Sequence, residues 1–369
     1  MESKLLRDLE ATARTTGDPI TWARSMCRTA EQYARQGETA EALSSITAVR
    51  SRFGKEMAPE VAAWVMLTEG ILKYYSGETD LGIDRLLRAH AVAAASPNCV
   101  ARPTCAAWLA LYYLNTRRFD EMIASLKEAL QLATIDDHQA RGRAALVVAD
   151  AFHLGGRFDL ARPWYEMARQ HATKEGDASA ISAILHNVTA FRACNVKLAD
   201  ALGTHLPDEA QRATMEANSA AAYDRAVGTR SLASYLPHVT AQILIVEGKY
   251  KDAMLALSSI DVEGLPRRAH AVHYVDLATC ALNLGDRPLL GRAVASAEES
   301  LKQATDADDV IYVCCRLASI HEAAGDEGRV AQFRTRASAE TDAYRSVQDQ
   351  LVSKLARMTD EVRSRYAYQ

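Results

Sequence analysis

The stretch HLGGRFDLARPWYEMARQHA, residues 153–172, places two glycines between runs of apolar residues. Such a stretch suits either an active-site loop or the turn of a helical hairpin. Val148 and Phe152 before the glycines, and Tyr165 and Ala168 after them, are spaced four and three residues apart. This is the period of an amphipathic helix and not the alternation of a strand, so the spacing predicts a helical hairpin.

The glycines and the proline of this stretch fit the ends of two paired helices. We expect Gly155 and Gly156 to end the first helix, because glycine readily takes the left-handed conformation found at helix C-termini. Pro163 falls within the first turns of the second helix, where it removes a hydrogen-bond donor. Pro163 is therefore expected to delay the start of that helix or to kink it.

The same kind of turn recurs along the chain at intervals of roughly 37 to 40 residues. The turns are ARQGETAEAL at Gly37, YYSGETDLGI at Gly77, LNTRRFDEMI at Arg117, HLGGRFDLAR at Gly156, IVEGKYKDAM at Gly248, LNLGDRPLLG at Gly285 and EAAGDEGRVA at Gly325. Between Gly156 and Gly248 two intervals fit, and we predict an irregular hairpin at about 178–228 with Pro207 opening its second helix. The repeats predict an all-α solenoid of about eight helical hairpins.

The repeats resemble those of the tetratricopeptide repeat (TPR) family, whose second helix carries glycine, any residue, an aromatic residue, two residues and alanine. The matching residues are Gly156, Phe158 and Ala161, then Gly248, Tyr250 and Ala253, with Tyr165 and Ala168 at the later aromatic and alanine positions. Other repeats depart from the signature, with Thr39 and Thr79 at the aromatic position and Gly82 and Met122 at the alanine position. The resemblance covers about residues 18–343 and implies a right-handed TPR-like α-solenoid of the regulatory or signalling type. The family period is about 34 residues, so the helices here are longer.

The composition is typical of a cytoplasmic protein. A net charge of −4 with dispersed basic residues gives no electrostatic reason to expect nucleic acid or an anionic membrane as a partner. The N-terminus lacks the apolar core of a secretory signal, and no window is apolar for long enough to span a bilayer. Seven scattered cysteines without a CxxC pair predict reduced, mostly buried thiols and no zinc site. We therefore expect neither a metal nor a cofactor.

Catalytic signatures are absent from the sequence. It contains no GxSxG, no GxGxxG, no GxxxxGK followed by Ser or Thr, and no HExxH. A non-catalytic protein is therefore expected. The alternative is an enzyme or regulatory subunit with an unrecognised small-molecule site in the irregular hairpin at 178–228.

Stacked hairpins line a concave groove with the first helix of each pair, and this groove is the predicted binding surface. Polar and aromatic residues there can hydrogen-bond a peptide backbone and hold its side chains, so a protein or peptide is the expected partner. The competing interpretation is that these residues only face solvent. The candidates are Trp64, Tyr74, Asn115, Arg143, Asp150, His153, His186, Asn187, Tyr235, His238 and Gln242.

The C-terminal segment carries an apolar stripe. From Asp326 onward no proline occurs, and the only glycine is Gly328, so a helix of about 40 residues is expected. We assign residues 1–343 to the solenoid and residues 344–369 to an extended helix. Its stripe repeats every eleven residues and comprises Tyr344, Val347, Leu351, Leu355, Met358, Val362 and Tyr366. That repeat predicts a parallel coiled-coil homodimer, the alternative being a cap folded back on the chain's own solenoid.

A helix of this kind after such repeats also resembles the linker that leads into bacterial diguanylate cyclase or histidine kinase domains. The resemblance implies either a sensor region of a longer protein or a complete adaptor. A looser resemblance, in repeats and length, is to Rap-type peptide-pheromone receptors of Gram-positive bacteria. We therefore expect a non-catalytic scaffold or sensor module in bacterial signal transduction, which relays binding through its C-terminal helix.

Overall fold

The computed structural model describes residues 3–54, 56–229, 235–262, 265, 267–304 and 306–366, without the side chains of residues 79, 268 and 363–366. Within these ranges the chain forms seventeen α-helices and no strand, which confirms the all-α prediction. A short helix, α1 (Lys4–Thr15), precedes eight hairpins. None of the described helices combines the length and the apolar character needed to cross a bilayer. All seven cysteines are free thiols, and five are buried.

The first of two compact units contains residues 1–184, 223–231 and 351–369. Each of its four complete hairpins pairs two consecutive helices that pack closely. The hairpins are α2 (Pro19–Gln36) with α3 (Thr39–Phe53), α4 (Pro59–Tyr75) with α5 (Thr79–Ala95), α6 (Arg102–Asn115) with α7 (Phe119–Leu132), and α8 (His138–Leu154) with α9 (Phe158–Glu175). First helices also pack on first helices, α2 on α4 and α6 on α8, as in a solenoid.

The second compact unit contains residues 185–222 and 232–350. Its helices are most of α10 (Ala178–Ala201) and α11 (Pro207–Val227), then α12 (Tyr235–Val246), α13 (Tyr250–Ser258), α14 (Arg267–Leu284), α15 (Arg287–Leu301), α16 (Ala307–Ala324) and the first part of α17 (Glu327–Tyr366). The helices α10 and α11 are the predicted irregular hairpin, and Pro207 opens the second of them as expected. The 40 residues of α17 match the predicted length.

The turn at Gly155 and Gly156 differs from its prediction in one respect. Gly156 takes the left-handed conformation, with a φ of 71°, whereas Gly155 has an ordinary φ of −73°. A Cβ atom added to Gly155 would lie 2.5 Å from Cγ2 of Val352 in α17. Gly155 is therefore required for the close approach of another helix and not for a turn conformation.

The structure corrects the prediction for Pro163 and explains the glycine at position 82. The helix α9 begins at Phe158 and continues through Pro163 to Glu175, so the proline does not delay its start. Gly82 replaces the alanine of the repeat because the side chain of Tyr112 in α6 reaches between α4 and α5 there. The hydroxyl of Tyr112 donates a hydrogen bond of 3.0 Å to the carbonyl of Gly70, and a Cβ on Gly82 would lie 2.0 Å from that hydroxyl.

The apolar stripe of α17 is largely buried within the single chain, whereas the sequence led us to expect its burial in a coiled-coil homodimer. Leu351, Leu355, Met358 and Val362 are buried in the single chain, while Val347 is exposed. Two ion pairs fix the same segment to α7, one from Lys354 to Asp120 at 2.5 Å and one from Lys127 to Glu361 at 2.7 Å. Tyr344 is half-buried, and the side chain of Tyr366 lies outside the described residues. The segment folds back on the solenoid, as in the alternative interpretation of the sequence.

Candidate functional site

A groove of about 730 Å³ opens in the first unit. Its lining comes from the N-terminal halves of the first helices α2, α4, α6 and α8, from the loops around residues 96–101 and 134–137, and from the ends of α5, α7 and α9. We call it the α2–α8 groove. Its volume lies within the range of about 300–1,000 Å³ that is usual for ligand sites. Of the predicted groove residues, Trp64 lines it.

One wall of the α2–α8 groove carries hydrogen-bond donors without acceptors, and we call it the donor wall. It consists of Arg24 and Arg28, one helical turn apart on α2, and of Trp64 on the adjacent α4. Within the described ranges, the half-buried guanidinium of Arg24 has neither an ion pair nor a hydrogen bond. Nε of Arg28 and Nε1 of Trp64 are buried and likewise lack an acceptor. Buried donors are nearly always satisfied, so this wall is incomplete without a ligand or water.

Another part of the lining is apolar, and we call it the apolar wall. Val100 and Leu132 line the groove although each is 45% exposed. Pro97 lines the groove too, and Ile135, which is 69% exposed, stands in sequence between the lining residues Thr134 and Asp136. Large apolar side chains that cluster at a concave surface indicate a binding site, whereas isolated ones do not.

The acidic residues of the lining are mostly engaged. Glu175 forms an ion pair with a terminal nitrogen of Arg28. Asp137 accepts a hydrogen bond of 3.1 Å from the backbone N–H of Ala140 and so caps α8, and burial raises its pKa. Asp136 is exposed, so water solvates its charge. Among the described charged residues of the lining, the half-buried guanidinium of Arg24 is therefore the group without an ion pair, although its charge helps to lower the pKa of Asp18.

Buried polar pairs beside the groove join the first hairpin to the last helices of this unit. Arg35 binds the carboxylate of Asp177, which precedes α10, at 2.7 Å, and Gln139 binds Glu31 at 2.5 Å. Burial raises the pKa of Glu31 although Arg35 opposes this. For Asp177 burial acts in the same direction, but Arg35 brings its pKa below the ordinary value. Arg143, another predicted groove residue, lines a small cavity here and lies 4.1 Å above the ring of Trp108.

Asp150 and His153 do not lie in the groove. Both are buried inside their own hairpin, where the hydroxyl of Tyr165 donates a hydrogen bond of 2.9 Å to Asp150 and lies 3.3 Å from Nδ1 of His153. Their spacing of three residues does place them on one face of α8, but that face packs against α9. Spacing alone does not identify the face that a helix turns toward a groove.

Tyr74 and Asn115 lie at the opposite ends of the first helices from the groove. They are close to the last residues of α4 and α6, and Nδ2 of Asn115 donates a hydrogen bond of 3.2 Å to the Tyr74 hydroxyl. The ring of Tyr74 packs edge-on against Trp108 and Tyr112. These contacts explain both residues by packing.

The remaining candidates belong to the second unit. His186, His238 and Gln242 are buried, Asn187 is half-buried and Tyr235 is exposed at the start of α12. Nε2 of His238 lies 3.8 Å from a carboxylate oxygen of Asp276, whose other oxygen accepts a hydrogen bond of 2.6 Å from the Tyr312 hydroxyl. Burial lowers the pKa of His238 to about 3 and raises the pKa of Asp276 to about 6.

Ion pairs between α10 and α16 surround this buried polar centre. Lys197 binds Asp309 at 3.0 Å and lies 4.9 Å from the centre of the Tyr312 ring. Arg316 binds Asp200 at 2.6 Å. Lys197 and Asp200 of the irregular hairpin are therefore engaged by α16. Sequence reasoning missed Lys197 and Asp276, although a charge within the apolar run of a first helix signals a buried polar contact.

The comparisons with known proteins agree with the repeat architecture. Residues 103–174, which cover α6 to α9 except for the first residue of α6 and the last of α9, match the tetratricopeptide repeat family. A Rap protein crystallised in complex with Competence and Sporulation Factor superposes with a TM-score of 0.54 at 15% identity, over 95% of this chain and 92% of that one. The chain therefore has the TPR-like helical repeat fold of this protein.

Two further solved structures overlap less closely. The apo form of RapI gives a TM-score of 0.46 at 10% identity, over 91% of both chains. The Rap conjugation gene regulator of the plasmid pLS20, in complex with the Phr* peptide, gives 0.44 at 12% identity, over 88% of this chain and 96% of that one. No curated protein matches the sequence.

Proposed function

We propose that this protein is a non-catalytic scaffold that binds a peptide, or an extended segment of a protein, in the α2–α8 groove. The observation that carries the proposal is the combination, in one groove of about 730 Å³, of an apolar wall exposed to solvent and a donor wall without acceptors. A peptide matches both walls, because its side chains can cover the apolar wall and its carbonyl groups can accept hydrogen bonds from the donor wall.

The helical repeat fold supports a role in binding. The Rap protein with this fold was crystallised with Competence and Sporulation Factor, and that ligand is a property of that protein. The groove itself is lined by residues 24–175, outside the irregular hairpin at 178–228. A small-molecule site in that hairpin is therefore not part of the proposal.

We also propose a role in cytoplasmic signalling, in which α17 relays the binding event. The end of α17 packs on the same unit that contains the groove, and the helix continues from the second unit. Binding in the groove is expected to alter this packing. The homodimer expected from the sequence is not included, because the chain itself buries Leu351, Leu355 and Met358. The likeness of α17 to a linker before a cyclase or kinase domain stays a prediction.

The proposal is tested by affinity selection from a pool of random octapeptides on the immobilised full-length protein, followed by titration of the recovered peptides. Leu132→Glu places a charge in the apolar wall and should weaken binding by at least about tenfold, which corresponds to about 1.4 kcal/mol. Leu81→Glu is the matched control, because Leu81 is similarly exposed on α5 and does not line the groove. Equal affinity of both variants and the unmodified protein would place the binding site elsewhere.

A further inference from the structure

The donor wall has a specific chemical character. Its three members without acceptors, the Arg24 guanidinium, Nε of Arg28 and Nε1 of Trp64, are all donors. An arginine guanidinium and an indole N–H have no acceptor capacity, so they cannot satisfy one another. What completes the wall must therefore bring acceptor atoms.

A carboxylate fits this wall better than a neutral acceptor. The planar fork of a guanidinium matches the two oxygens of a carboxylate, and charge-assisted hydrogen bonds are roughly twice as strong as neutral ones. Residues four apart on a helix lie on one face, about 5–6 Å apart at Cβ, so Arg24 and Arg28 can reach one group together. Arg28 already holds Glu175 through its terminal nitrogen, whereas Arg24 forms no ion pair or hydrogen bond with any described residue and acts on Asp18 only through its charge.

The residues around the donor wall place a second requirement on the ligand. The apolar wall, with Val100 and Leu132, lines the same groove. The groove also draws its lining from four first helices, and helix axes in such stacks lie about 8–10 Å apart. A chain lying across this row presents its side chains to each helix in turn, so the acidic group comes from a side chain within the peptide.

We propose that the donor wall binds the carboxylate of an aspartate or glutamate side chain of the ligand peptide, while the apolar wall holds an apolar side chain close to it in sequence. This inference rests on the proposed peptide-binding function. It assigns Arg24 as the residue that determines the preference for acidic peptides, with Arg28 and Trp64 as further donors.

The test uses three pools of random octapeptides on the full-length protein. The first contains all residue types and is blocked at both ends, and the second is the same pool with Asn and Gln in place of Asp and Glu. The third is the acid-free pool with a free C-terminal carboxylate. We expect peptides with an acidic and a nearby apolar residue from the first pool, and about ten- to a hundredfold weaker binding from the other two.

Variants at Arg24 assign the preference to the donor wall. Arg24→Gln should remove the preference for acidic peptides, and Arg24→Lys should retain part of it because the charge remains. Arg88→Gln is the control, since Arg88 is exposed on α5 in an ion pair with Asp84 and does not line the groove. Circular dichroism melting of each variant verifies that it is folded.

The outcomes separate this inference from the proposed function. Equal binding from the first two pools, or an acid preference that survives Arg24→Gln, would overturn the inference and leave peptide binding intact. Selective binding from the third pool would assign the donor wall to a terminal carboxylate and overturn the side-chain assignment. Binding from none of the pools would contradict the proposed function itself.

Discussion

Gly155 is a residue whose role depends on a contact between distant parts of the chain. The Gly-Gly pair reads as a turn signal, and Gly156 fulfils that role with its left-handed backbone. Gly155 instead leaves room for Val352, a residue almost 200 positions later in the sequence. A glycine beside a turn does not reveal which helix will pack on it, so this contact could not be predicted from the sequence.

At this scale we predict that Gly155→Ala loosens the end of α17. The added methyl group would meet Val352 at 2.5 Å, and overpacking of this kind costs about 1–3 kcal/mol. Hydrogen exchange of the amides of residues 351–362 should therefore become faster, and Gly155→Ala with Val352→Ala should restore protection. Gly291→Ala is the control, because a Cβ there has no neighbour within 4 Å and α15 should gain helix propensity. Unchanged exchange in Gly155→Ala would mean that α17 does not pack against this turn.

Among the helices, α17 shows that a sequence pattern can predict the length of a helix but not the surface against which it packs. The uninterrupted sequence after Asp326 predicted a helix of about 40 residues, and α17 has 40. The apolar stripe showed that one face of the helix is buried, but a stripe is equally compatible with a second chain and with the same chain. The ion pairs of Lys354 with Asp120 and of Lys127 with Glu361 join positions more than 200 residues apart, which no local pattern contains.

The double change Leu351→Glu with Leu355→Glu tests this packing. Both side chains are buried, and loss of a buried leucine alone costs about 2–5 kcal/mol, so the segment should separate from the solenoid. Amide exchange in residues 351–362 should rise markedly, and light scattering should report a monomer before and after the change. Val347→Glu, at an exposed position of the same stripe, should alter neither property. A dimer that the double change converts to a monomer would instead support the coiled coil.

For the whole molecule, the repeat period predicted the number and type of hairpins in the described residues, including the irregular one whose second helix opens at Pro207. The period did not predict the ion pairs that join hairpins within a unit. Arg35 with Asp177 in the first unit and Lys197 with Asp309 in the second join residues more than 100 positions apart. Of the predicted groove residues, Trp64 lines the α2–α8 groove, whereas Asp150 and His238 are buried in polar contacts. Helical spacing predicts which residues share one face of a helix, but not what that face packs against.

The buried histidine of the second unit predicts a pH dependence of stability. Burial depresses the pKa of His238 to about 3, from an ordinary value of about 6.5. Below pH 6.5 the unfolded chain binds a proton at this histidine that the folded chain does not, so the contribution of His238 to stability falls as the pH drops from 6.5 toward 3. Asp276, whose pKa burial raises to about 6, acts in the opposite direction below pH 6, because its folded form binds a proton first. One such group contributes a slope of up to about 1.4 kcal/mol per pH unit.

Replacing His238 isolates this effect. In His238→Gln the loss of stability between pH 6.5 and 4, followed by urea denaturation with circular dichroism, should be less steep than in the unmodified protein. His205→Gln is the control, because the His205 side chain is 73% exposed. Identical slopes for the unmodified protein and His238→Gln would show that His238 is not buried in its neutral form.

The central claim is that the α2–α8 groove binds peptides, and hydrogen exchange with a selected octapeptide tests it most directly. With the peptide bound at saturation, amide exchange should slow at residues 97–104 and 132–139, which form the apolar wall and the starts of α6 and α8. The amides of α12 and α14 should change little. Protection confined to α12 and α14, with none at residues 97–104 or 132–139, would contradict the account.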